Sequence, residues 1–124
     1  MNVRPFHLAL PTRDLEKTRQ FYCDILGCET GRETQDWIDL NLFGHQLVFH
    51  VSGGEPLTTT HNAVDAHSVP IPHFGVVLTP DEHRAFSQRI TGKVQMIIEP
   101  AVRFEGTTGE QRTLFFEDPN GYAL

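Results

Sequence analysis

Seven histidines and no serine or cysteine nucleophile constellation mark the chemistry open to this chain. His7 lies inside the apolar run Phe6-His7-Leu8-Ala9-Leu10-Pro11, and His73 opens the run His73-Phe74-Gly75-Val76-Val77-Leu78. An imidazole in such a run is either a satisfied core histidine or a group for metal or proton chemistry. His50 ends a third apolar stretch, Gln46-Leu47-Val48-Phe49-His50, and has the same two readings. Cys23 and Cys28 are five residues apart near a helix end, poorly placed for a disulfide or a zinc pair.

These residues need strands and helices to position them, and the sequence supplies the set twice. Phe6–Pro11 reads as a strand. Leu15, Thr18, Tyr22, Ile25 and Leu26 share one helical face, with Asp14 as cap and Gly27 as stop. Trp37–Leu42 alternates as a strand, and Gln46–Val51 is another, joined by a turn at Phe43-Gly44-His45. The second half restarts at His73 with a strand. Thr79-Pro80-Asp81-Glu82 then opens a helix that Gly92 closes. Val94–Ile98 and Gln111–Phe116 are strand candidates. Asp118-Pro119-Asn120-Gly121 is a turn, and Tyr122-Ala123-Leu124 starts a last strand. His7 and His73 hold the same place in the two copies, and matching Gly44 with Gly121 aligns Leu47 with Leu124. The expected domain is single, with one module at about 1–52, a patternless linker at about 53–71 and a second module at about 72–124.

Ten Lys+Arg against sixteen Asp+Glu give a net charge of −6. No basic face is available for a phosphate backbone, so a nucleic-acid partner is not expected. No apolar stretch reaches the ~20 residues that span a bilayer, and the N-terminus lacks a signal-peptide core, so a cytoplasmic chain without a membrane partner is expected.

The order and spacing of Phe6-His7-Leu8-Ala9-Leu10, Asp14-Leu15, Phe21-Tyr22, Leu26-Gly27, Pro72-His73-Phe74-Gly75 and Phe116–Leu124 resemble the vicinal oxygen chelate superfamily. That group contains glyoxalases, bleomycin-resistance proteins and ring-opening dioxygenases. The resemblance implies an α+β fold of two βαβββ modules whose mixed sheet makes a cup-shaped half-barrel with helices outside. It implies a homodimer acting on a small-molecule substrate. It makes His7 and His73 ligands of one divalent metal ion (Fe, Zn, Ni or Mn), since two imidazoles and a carboxylate leave positions for a substrate with adjacent oxygens. The carboxylate is expected from a Glu just beyond Leu124. The equivalent position in the first module is Val48, which cannot bind metal. The shared chemistry would be stabilisation of an enolate-like anion, in a lyase, isomerase or dioxygenase. The alternative is a metal-free, drug-sequestering protein.

His50, two residues from Val48 on the same strand side, is the candidate base or proton shuttle. Arg103 and Gln111 flank the Gly106-Thr107-Thr108-Gly109 loop and are candidate substrate contacts. Trp37 and Phe49 are candidates for an apolar wall, with a place in the core as the alternative reading.

Overall fold

A computed structural model of the chain describes residues 2–54, 58–64 and 67–124. The backbone groups into two compact units, Met1–Pro56 and Leu57–Leu124. Both are α+β.

The first unit begins with β1 (His7–Thr12) and α1 (Leu15–Gln20), which continues through one wide π turn over Phe21–Ile25. Asp14 caps α1 by accepting from the Lys17 N–H at 3.0 Å. Gly27, at φ 82°, stops the helix in the left-handed conformation that glycine adopts without strain. The strands β2 (Glu29–Glu33), β3 (Trp37–Leu42) and β4 (His45–Val51) follow, and the sheet order is β1-β4-β3-β2. β1 runs parallel to β4 with His7 opposite Gln46, and β3 runs antiparallel to β4 with Trp37 opposite His50.

This register sorts the side chains onto two faces. Leu10, Ile38, Leu40, Leu47 and Phe49 face the helix and are buried with Phe21, Tyr22 and Leu26. The Tyr22 ring lies 5.1 Å from that of Phe49. Thr12 and Thr18, both buried, share a hydroxyl–hydroxyl bond of 3.0 Å, which satisfies the polar atoms this core takes in. His7, Trp37, Asp39, Gln46, Val48 and His50 lie on the other face, away from the helix.

The second unit starts with a hairpin of β5 (Thr60–Val64) and β6 (His67–Ile71), in a stretch where the sequence shows no periodicity and a linker is expected. Every residue of β5 is exposed, so no apolar alternation betrays it. The expected strand after His73 is reduced to a parallel bridge between His73 and Ala123. The helix α2 (Pro80–Ile90) follows, then β7 (Gln95–Arg103) and β8 (Gln111–Glu117). β7 extends well past the expected Ile98. Residues 122–124 fold back along β8, and Phe116 and Leu124 exchange two backbone bonds of 2.9 Å. The Asp118 side chain holds that turn by accepting from the N–H groups of Asn120 and Tyr122 at 2.9 and 2.8 Å.

The second unit therefore repeats the order of the first: the His73 segment beside 122–124, then β8, then β7. His7 opposite Gln46 corresponds to His73 opposite Ala123. That is the offset given by aligning Leu47 with Leu124.

At the start of α2, Thr79 accepts from the Glu82 N–H at 3.2 Å while Glu82 accepts from the Thr79 N–H at 2.9 Å. These bonds hold the Glu82 carboxyl below its ordinary value. The box is thus complete above that value and is lost as pH falls through the lowered one. Thr79→Ala is expected to cost about 1 kcal/mol of stability, measured by urea unfolding at neutral pH. No change in midpoint would mean that packing alone holds the helix.

Candidate functional site

In the first unit the candidate groups gather on the sheet face away from the helix. The Nδ1 of His7 lies 2.8 Å from Oε1 of Gln46, its neighbour on β4. With the amide oxygen of Gln46 as acceptor, Nδ1 is the donor and Nε2 is left to present a lone pair. Two residues along β4, Val48 is buried, and two further on His50 is exposed. The His50 ring is 6.3 Å from that of Trp37, its partner on β3.

In the second unit the Nδ1 of His73 lies 2.6 Å from the carbonyl oxygen of Pro70. A carbonyl also only accepts, so His73 takes the same tautomer as His7, with Nε2 as the electron-pair donor. The His73 ring meets Phe115 of β8 edge-on at 4.9 Å. Gln111 and Thr113 alternate with Phe115 along one side of β8. The Thr113 hydroxyl is buried and has no hydrogen-bond partner among the described residues. Sequence reasoning missed it, because only the fold distinguishes a buried strand threonine from an exposed one.

Two expectations are corrected by these positions. Phe49 is fully buried against Tyr22 on the helix side of the sheet, so it is a core residue and lines no wall beside Trp37. Arg103 is 3% exposed and donates to the carbonyl of Val64 in β5. Its guanidinium ties the two hairpins of the second unit together and does not extend from a mobile loop. Gln111 is exposed at the first position of β8, opposite Arg103.

A histidine that ligates a metal commonly donates its other ring nitrogen to a carbonyl or carboxylate, which fixes the tautomer and the ring. Both His7 and His73 are arranged in this way, so each fits a divalent metal as a single ligand. Among the described residues no three His, Cys, Asp or Glu side chains stand close enough together to complete a metal site. His45 is used structurally: its Nδ1 accepts from the Phe6 N–H at 2.9 Å. His83 on α2 is held below its ordinary value by burial and by the nearby charge of Arg112. No helix among the described residues is long and apolar enough to cross a membrane.

Two units of repeated order, with His7 and His73 at equivalent positions, are the pattern of a glyoxalase-like protein. The chain belongs to the Glyoxalase/Bleomycin resistance protein/Dioxygenase superfamily, which it matches over residues 4–124. Among solved structures it is similar to a glyoxalase/bleomycin resistance protein/dioxygenase from Alicyclobacillus acidocaldarius. The two are 31% identical with a TM-score of 0.81, over 97% of this chain and 86% of that one. The genomically encoded fosfomycin resistance protein FosX from Listeria monocytogenes shares the fold at 19% identity and a TM-score of 0.70, over 99% of this chain and 90% of that one. The oxidase ChaP-H2 shares it at 22% identity and a TM-score of 0.66, over 100% of this chain and 91% of that one. No curated protein matches the chain.

Proposed function

We propose that this protein is a divalent-metal-dependent enzyme that binds the adjacent oxygens of a small substrate, with His7 and His73 as metal ligands. The observation that carries the reading is the shared orientation of two histidines at equivalent places in their units, each with Nδ1 on an acceptor oxygen, from Gln46 on β4 and from Pro70 on β6. Support of a second kind comes from a relative of the same fold, a FosX variant solved in complex with Mn(II) and dihydroxypropylphosphonic acid.

Two imidazoles and one carboxylate suit such a metal. Val48, two residues from Gln46 on the same face of β4, offers only a methyl surface to it.

When bound, a metal with open positions supplies Lewis acidity for an enolate-like anion, as in lyases, isomerases and ring-opening dioxygenases. The chain's own residues do the rest. Gln46 and the Pro70 carbonyl hold the imidazoles in one orientation. His50, exposed on the same sheet face as His7 and beside Trp37, is our candidate for proton transfer.

The test is metal analysis of protein purified without added metal and dialysed. One divalent ion per site is expected in the wild type, with loss of that ion in His73→Ala and in His7→Ala. A wild type without metal, whose thermal midpoint ignores both divalent ions and chelators, would overturn the reading in favour of a sequestering protein. Oxygen uptake by the iron-loaded protein would select the dioxygenase branch.

A further inference from the structure

On the first unit's sheet face away from the helix, Asp39 is a carboxylate with a side chain only 12% exposed. A buried carboxylate is costly unless it is paired. Its charge partner is Arg32 of β2, whose Nε lies 3.3 Å from Oδ2 while the arginine side chain remains 79% exposed. The approach depends on Gly31. A Cβ at that position would come within 3.2 Å of the Asp39 Cβ, so a larger residue would push β2 away. The Arg32 guanidinium also lies over Trp37, 5.6 Å from the ring centroid, and Trp37 in turn meets His50.

The consequence lies in what Asp39 leaves unused. It engages Nε alone, and neither terminal nitrogen of Arg32 has a partner among the described residues. Asp39 holds the guanidinium at Nε and the Trp37 ring lies beneath it, so its terminal groups are turned toward solvent. Its two terminal N–H groups keep the forked geometry that matches a carboxylate or a phosphonate.

The register places this group relative to His7. Gln46 beside His7 and His50 beside Trp37 are four residues apart on β4, or about 13 Å at the rise of a strand. Both ends lie on the same face.

We infer that Arg32, held by Asp39 and Trp37, is an oxyanion-binding residue, and that the substrate is a small organic acid whose carboxylate or phosphonate it takes. The inference rests on the metal-chelation reading only for the other end of the substrate. The anion site itself stands without metal, so its test is run on metal-stripped protein.

Trp37 is the chain's single tryptophan, so its fluorescence reports directly on this group. The full chain, treated with chelator, is titrated with benzoate, with phenylphosphonate and with the uncharged benzamide. Saturable changes in Trp37 emission are expected with the two anions, and whichever binds more tightly names the preferred oxyanion. Benzamide should bind at least about tenfold more weakly. Arg32→Gln keeps a donor for Asp39 and should weaken the anions about tenfold, with Arg32→Lys in between. Thermal melts of both variants establish that they are folded. Equal binding of benzoate and benzamide, or anion binding by folded Arg32→Gln equal to that of the wild type, overturns the inference. Neither result touches the metal reading, and absence of metal in the wild type would leave this titration unchanged.

Discussion

Phe49→Ala is expected to lower the stability of the protein by about 3–5 kcal/mol, while His50→Ala, one residue along the same strand, should stay within about 0.5 kcal/mol of wild type. Phe49 is fully buried, stands opposite the fully buried Ile38 and packs on the fully buried Tyr22. Removing its ring leaves a cavity between sheet and helix that neither a strand backbone nor a capped helix can close. His50 is exposed and touches only the edge of this order, through Trp37. Urea unfolding of the two variants measures the contrast. Similar losses for both would mean that the faces of β4 are not divided as the ladder with β3 requires.

That division also explains what the sequence could and could not reveal. Strands with one buried face announce themselves, as Trp37–Leu42 does by alternation. The helix after Thr79 announces itself by local chemistry that needs no tertiary partner. The turn residues Gly44 and Gly121, at φ 90° and 88°, mark equivalent corners, and the His7 and His73 pairings follow from them. β2 and β5 were invisible because every one of their residues is exposed, and a strand without a buried face has no period of two. The Arg32–Asp39 pair was invisible for a related reason. Its partners are seven residues apart, and only the bulged pairing of β2 with β3 brings them together. Arg103 was misread because a Gly/Thr-rich loop beside it looks mobile, while the fate of its side chain is decided by Val64, 39 residues away. For Phe49 and Trp37 the strand assignment was right, and the side of the sheet was settled by Tyr22.

Gln46→Leu is expected to weaken metal binding by about 10- to 100-fold without altering any proposed ligand. The amide oxygen of Gln46 is what keeps the His7 proton on Nδ1. A leucine of similar size preserves the strand but leaves the imidazole free to rotate and to exchange tautomers, so the ligating geometry must be selected from several. Gln46→Glu retains an acceptor and should bind at least as well as the wild type, since a carboxylate raises the basicity of the ring it holds. The comparison is available only in the first unit, because His73 is oriented by the backbone carbonyl of Pro70, which substitution does not remove. Competition between the protein and a chelator for Zn or Mn measures the effect, and thermal melts of the metal-free variants establish equal folding. His7→Ala should lose more than Gln46→Leu, because it removes the donor atom as well as its orientation. If Gln46→Leu competes for metal as the wild type does while His7→Ala fails, His7 ligates without help from its neighbour. If both bind as the wild type does, His7 is no ligand, and its bond to Gln46 serves only to join β1 to β4.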